Sequence, residues 1–330
     1  NKLKTIFYDE GCLFLVNSGT IKRTESSEDL MPYINELDSR VNTAESEIDN
    51  LALEITSTYL TFAKVCTDID VSSFRGEPGD LVLQHDLYFE DGRKIIGTGV
   101  IDLKNKEIVF GREFLEWDND LTWVGNNGSI ELKEDSSLFN QWAFEGTVIV
   151  DGNGHELLLK EGSRFVIKKN STLKIQNMIL SDINNHEIVC EDDTSKIILK
   201  NVTWLQNEDK IFTKGSLEFK KYVEMDGNYS FAYQSNMPCI IDKTTQLVLN
   251  RGFTLCFDNE SENLITFVDD TSELVLKGAG LHANSAGLCL KNGKLTVKKS
   301  CTLSSDLGKG ISIGNGNLED DFSCDILSRG

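Results

Sequence analysis

The sequence predicts an all-β solenoid: a parallel β-helix of about ten rungs, preceded by a strand-plus-helix segment. Three observations predict it. A short motif of apolar, any residue, apolar, usually followed by Lys, recurs throughout residues 77–315. Helical periodicity is absent from that stretch. Gly, Asn and Asp gather between the copies, as in Gly125-Asn126-Asn127-Gly128 and Asp151-Gly152-Asn153-Gly154.

Residues 1–29 carry two apolar clusters, Ile6-Phe7-Tyr8 and Leu13-Phe14-Leu15-Val16, around Asp9-Glu10-Gly11. That pattern predicts a short hairpin or two strands, with a polar linker from Gly19 to Asp29. Residues 30–66 are helical by pattern and run into a linker through 76. Ile34, Leu37, Val41, Ala44, Ile48, Leu51 and Ile55 are spaced alternately three and four apart, the a/d seam of a coiled coil. Arg40 and Glu45 fall at g and the following e. At about three heptads the run suits either a coiled coil between chains or an amphipathic helix lying on its own chain.

The motif then appears at Leu81/Leu83, Ile101/Leu103, Ile130/Leu132, Leu157/Leu159, Leu173/Ile175, Ile197/Leu199, Leu217/Phe219, Leu247/Leu249, Leu274/Leu276 and Leu295/Val297. The steps between copies are 20, 29, 27, 16, 24, 20, 30, 27 and 21 residues, averaging close to 24. A repeat of this size is one turn of two or three short strands. It cannot bury its apolar face alone, so turns stack and build continuous Leu/Ile columns. Uneven steps predict loops bulging at the corners. A β-propeller needs roughly 40 or more residues per blade, which the spacing excludes. Residues 316–330 read as a C-terminal tail.

Composition narrows the partners. Asp plus Glu number 53 against 33 Lys plus Arg, a formal charge of −20 that repels a phosphate backbone, so nucleic acid is not an expected partner. No apolar run of about 18 residues exists, so no membrane-spanning helix is expected. Asn1 at the first position fits a processed chain or a chosen boundary equally well.

The segment Gly146-Thr-Val-Ile-Val-Asp-Gly-Asn-Gly-His-Glu-Leu157, followed by Ser171-Thr-Leu-Lys-Ile-Gln-Asn-Met-Ile-Leu180, resembles the pectin-lyase-like right-handed parallel β-helix superfamily, and within it the adhesin-like and surface-repeat members. The resemblance covers about residues 77–315 and implies a right-handed coil. The family also includes polysaccharide lyases and polygalacturonases, but the Asn-Thr-Asp, Gly-His-Gly and Arg-Ile-Lys motifs that the resemblance would carry for catalysis are absent here. The pairs Asp192-Asp193 and Asp269-Asp270 read as corner turns. No catalytic residue is assigned.

Other candidates have bland alternatives. His85, His155, His186 and His282 show no zinc spacing, and His155 belongs to an Asn-Gly-His corner. No cofactor is expected. Glu191-Asp192-Asp193, Glu319-Asp320-Asp321 and Asp118-Asn119-Asp120 could hold Ca2+ weakly or be solvated loops. Trp117, Trp123, Trp142 and Trp204 are candidates to stack on sugar rings. Trp204 reads as core and Trp142 as a cap on the stack. Asn127, Asn170, Asn201, Asn228 and Asn259 open Asn-x-Ser/Thr triplets. Of eight cysteines, Cys190, Cys239, Cys256, Cys289 and Cys301 read as buried thiols two turns from their equivalents, too far to bridge. Cys12, Cys66 and Cys324 lie outside the repeat and could staple an end.

The functional expectation is a non-enzymatic extracellular or cell-surface protein that binds copies of itself end to end, as a fibre or surface layer. Phe7, Leu13, Leu15, Cys12, Cys324, Ile311 and Ile313 are the expected assembly residues, because open solenoid ends expose strand edges. The alternative is a tailspike-like or adhesin-like polysaccharide-binding protein that engages cell-surface glycans and cleaves them in its enzymatic version, trimeric through the heptad helix.

Overall fold

The computed structural model describes residues 4–9, 12–17, 20–22, 63–73, 80–261, 264–284, 287–306, 310–313, 317–319 and 323–328. The chain divides into two units, residues 1–61 and 62–330. In the first, Lys4–Asp9 and Cys12–Asn17 form the expected antiparallel hairpin, and Thr20–Lys22 adds a third strand inside the expected linker. The heptad positions Ile34, Leu37, Val41, Ala44, Ile48, Leu51 and Ile55 lie outside the described residues. Ala63–Val65, the end of the expected helical segment, is a strand.

The second unit is a parallel β-solenoid of about 11 turns with almost no helix. Each turn contributes a strand to three stacked faces. The first face begins at Ala63–Val65 and Leu87–Phe89, the second at Ile69–Asp70 and Ile95–Ile96, the third at Asp80–Val82 and Gly99–Lys104. Ladders then climb in register. On the first face Leu87, Ile108, Ile130, Val150, Ile175, Leu199, Phe219, Ile241 and Phe267 are successive partners, and all are buried. Leu157, Leu180, Trp204, Met225, Leu249, Leu276 and Val297 form the matching column of the second face. Alternate residues face in because strand side chains alternate. Burying Leu/Ile columns from turn to turn is the main stabilising term.

The turns are more even than the sequence motif suggests. Partners on the first-face column lie 20 to 26 residues apart. The wider spread of motif steps came from changes of face: Ile101/Leu103 is on the third face, Ile130/Leu132 on the first and Leu157/Leu159 on the second. Bulging loops are not needed to explain it. The ladder also runs beyond residues 77–315, from Ala63 to the strand Ser323–Ser328. No described helix is long and apolar enough to cross a membrane.

Corners between the first and second faces turn on one left-handed residue. Asn177, Asn201 and Lys221 take φ of 52°, 53° and 63°. Asn tolerates this region best among residues with a side chain, and here it also ties turns together. Asn177 Nδ2 donates to Asp151, and Asn201 Nδ2 donates to Asn177 Oδ1 at 3.0 Å.

Candidate functional site

The residues expected to mediate assembly occupy terminal strands of the two units. Phe7 is the register partner of Phe14, Leu15 of Ile6, Leu13 of Tyr8 and Cys12 of Asp9, all within the first unit's hairpin. Ile311 and Ile313 lie on the first face opposite Leu288 and Leu290, and both are half-exposed. Cys324 is not outside the repeat: it lies in the third-face ladder opposite Cys301, one turn away. At the low end, Ala63–Val65, Ile69–Asp70 and Asp80–Val82 each pair on one edge among the described residues. At the high end the same holds for Ile311–Ile313, Asn317–Glu319 and Ser323–Ser328.

A buried polar cluster sits midway along the third face. Leu121, Trp142, Phe165 and Ile188 climb one inward column, and Phe231, Leu255, Leu281 and Leu303 continue it above. Between them the column holds Lys210, the register partner of Phe231 and only 1% exposed. The third-face sheet is interrupted there. Ile188–Cys190 belongs to the large sheet and Lys210–Phe212 opens a separate six-stranded one. Side chains span the gap. Lys210 Nζ donates to the carbonyls of Asn184, Asn185 and Ile188 at 3.3, 3.1 and 3.1 Å, and Ile211 N donates to Asn185 Oδ1 at 2.8 Å. Glu187, also 1% exposed, accepts from Asn184 N and Nδ2 at 2.8 and 2.6 Å. Burial pushes the Glu187 carboxyl up to about 7 and the Lys210 amine down to about 8. Nothing in the sequence analysis singled out Lys210. The available signal was parity: in Lys210-Ile211-Phe212 the lysine shares the inward side with Phe212.

The other candidates resolve individually. Trp117, Trp123, Trp142 and Trp204 are all buried, so no tryptophan is available to stack on a sugar. Trp142 is no cap: it packs mid-stack, parallel to Phe165 at 5.9 Å and edge-on to Trp117 and Trp123. Of the acidic turns, Glu191 accepts from Lys169 N, Asp192 from Thr194 and Asp120 from Gln141 N, so these oxygens serve the corners. Asp320 and Asp321 lie outside the described residues. Asn259 is buried and bonded to Ser235 O, whereas Asn127, Asn170, Asn201 and Asn228 are exposed.

Cys190, Cys239 and Cys301 are buried thiols. Burial pushes Cys190 and Cys239 up to about 12, which keeps them protonated and inert. Cys256 and Cys289 are half-exposed instead. Cys190 lies on the third face and Cys239 on the first, so those two are not equivalent positions.

His282 Nδ1 lies 2.7 Å from Ser304 Oγ on the next turn, and its Nε2 is 3.7 Å from Asp306. The nearby main-chain N–H groups of Asn284 and Asp306 are committed to Phe257 and Ala283 carbonyls, so they offer no oxyanion hole.

A cavity of about 170 Å³ opens at the first-to-second-face corner, lined by Lys200, Lys220, Lys221, Lys243, Asp242, Thr244 and Thr245. Lys220 is paired with Glu218 at 2.8 Å and with Asp242 at 3.3 Å.

No protein-family model matches this chain, and neither a curated protein nor a solved structure matches it.

Proposed function

We propose that the chain is a structural, non-enzymatic subunit of the cell exterior that associates with copies of itself end to end. The observation that carries this reading is the pair of solenoid ends. Each presents three strands that pair on one edge only among the described residues, and each is built on the same three faces. Parallel strands in the same three-faced arrangement make one end a template for the other, and a head-to-tail contact of that kind repeats without closing. We read the coil as right-handed, as the family resemblance implies and as parallel crossovers overwhelmingly are.

Negative-stain microscopy of the purified chain tests the reading, with Ile313→Lys as the comparison. The expected result is elongated assemblies that lengthen with concentration for the parent and shorten for the variant. Isolated monomers of the parent at every concentration overturn it.

A polysaccharide-binding role is the second reading. What favours it is the lysine-lined corner cavity in a chain of net charge −20, a local attraction for acidic sugars against the overall field. Screening the same preparation against acidic polysaccharides, for retention and for unsaturated products, separates binder from enzyme.

A further inference from the structure

Two consecutive corners between the first and second faces bring metal-ligating side chains together. Glu134 and Asp135 lead into the strand Ser136–Leu138, and His155 leads into Glu156–Leu159 on the next turn. The register that sets Ser136 opposite Leu157 puts Glu134 beside His155 and Asp135 beside Glu156. Both corners are held by their backbones. Asn153 N donates to Asp151 Oδ1 at 2.9 Å, His155 N to Gly152 O at 2.8 Å and Ile179 N to His155 O at 3.0 Å. Glu156 N donates to Asp135 Oδ1 at 2.8 Å, which fixes that carboxylate.

The side chains converge on one point. His155 Nδ1 is 3.8 Å from Glu134 Oε1 and 3.6 Å from Asp135 Oδ1. All three donors lie within 4.8 Å of one another. Those separations are too long for hydrogen bonds. They are close to what a shared ion requires: two ligands on a tetrahedral centre with bonds of about 2.1 Å lie about 3.4 Å apart. Side-chain rotations that move the donor atoms by about an ångström or less each close the difference.

The donor chemistry selects the ion. One imidazole nitrogen with two carboxylates suits a divalent first-row transition metal. Ca2+ takes six to eight oxygens and gains little from imidazole. The charge balance points the same way. No lysine or arginine among the described residues is ion-paired with Glu134 or Asp135, and the adjacent Lys133 is paired with Glu131 instead. The His155 side chain is 31% exposed, so an ion can enter and water can fill the open coordination positions. Sequence spacing could not show the site, because its donors come from different turns.

We propose that Glu134, Asp135 and His155 form a divalent transition-metal site, of the kind zinc occupies, that staples two neighbouring turns at their corner. The ion binds the folded corner and has no matching site in the unfolded chain, so binding stabilises these turns.

The test is calorimetric titration of ZnCl2 into the EDTA-treated full chain carrying Cys66→Ser, which removes the exposed thiol as a competing ligand. The expected result is one zinc per chain, bound at least ten-fold more weakly by His155→Ala and by Glu134→Gln and unchanged by His282→Ala. Co2+ in place of zinc should give a visible absorption band that the His155 variant lacks. These side chains are partly exposed, and circular dichroism should show both variants folded. No heat with zinc up to millimolar concentration, or equal binding by the parent and His155→Ala, overturns the site.

Discussion

The third face is built in two ways. Below Cys190 its strands pair turn on turn, from Leu81 opposite Ile101 to Ile167 opposite Cys190. At the next step the backbone ladder stops, and one buried lysine with its carbonyl acceptors takes over before pairing resumes at Lys210–Phe212. The difference teaches where this solenoid is vulnerable. A backbone ladder depends on no particular side chain, so a substitution in it costs mainly lost packing. The step at Lys210 depends on two side chains, the Lys210 amine and the Asn185 amide. A solenoid's stability is close to a sum over neighbouring turns, so this step is held by the first- and second-face ladders, which run through it, and on the third face by side chains alone.

The largest expected effect follows from removing that group. Lys210→Met keeps the length and the apolar stem but leaves the carbonyls of Asn184, Asn185 and Ile188 without their donor. Orphaned buried acceptors cost about 1–3 kcal/mol each, less whatever water recovers. We expect a loss of about 3 kcal/mol or more, concentrated at the junction. Hydrogen exchange should rise across residues 184–191 and stay unchanged across 142–167. Uniform exchange along the chain would show that the two regions are not separately stabilised.

The second effect is a pH dependence centred on the same junction. Burial raises Glu187 from 4.5 to about 7 in the fold, so the folded chain holds that proton more tightly than the unfolded chain does. Its contribution is therefore fully present below about pH 4.5 and lost as pH rises through about 7, on the order of 3 kcal/mol in total. Lys210 runs in the opposite sense. Its amine falls from 10.5 to about 8, so stability is regained as pH climbs between those values. The two together place a minimum between about pH 7 and 8. Urea titrations from pH 5 to 10 should show it, and Glu187→Gln should remove its acidic limb. A flat profile in the parent chain would remove the electrostatic account of the junction.

The regular region was legible in the sequence, and the junction was not. Alternation in Leu157-Leu158-Leu159 or Leu274-Val275-Leu276 marks a strand on any face, so the motif revealed a solenoid without saying which face each copy occupies. That ambiguity turned three faces into one uneven repeat, and it put Cys324 outside a ladder in which it pairs with Cys301. Trp142 looked peripheral because three of its aromatic partners, Trp117, Trp123 and Phe165, come from other turns. The junction and the Glu134–Asp135–His155 corner were hidden for a related reason. Both are defined by what lies one turn away, and alternating Lys and Glu are the ordinary outer surface of such a strand.

The smallest effect sharpens the comparison at the corners. Asn201 and Lys221 occupy consecutive turns and share a left-handed backbone, with φ of 53° and 63°. Only the asparagine earns that conformation with a bond to the turn below, from Asn201 Nδ2 to Asn177 Oδ1. At Lys221 the backbone N–H donates to Thr245 Oγ1 at 3.0 Å, a bond that glycine keeps. Lys221→Gly removes the Cβ penalty of the left-handed region and should stabilise the chain by up to about 1 kcal/mol. Asn201→Gly relieves the same penalty but breaks the ladder, so it should be neutral or destabilising by about 0.5–1 kcal/mol. Urea midpoints measured side by side decide it. Shifts of the same sign at both positions would mean that the asparagine ladder adds nothing beyond its tolerance of the corner.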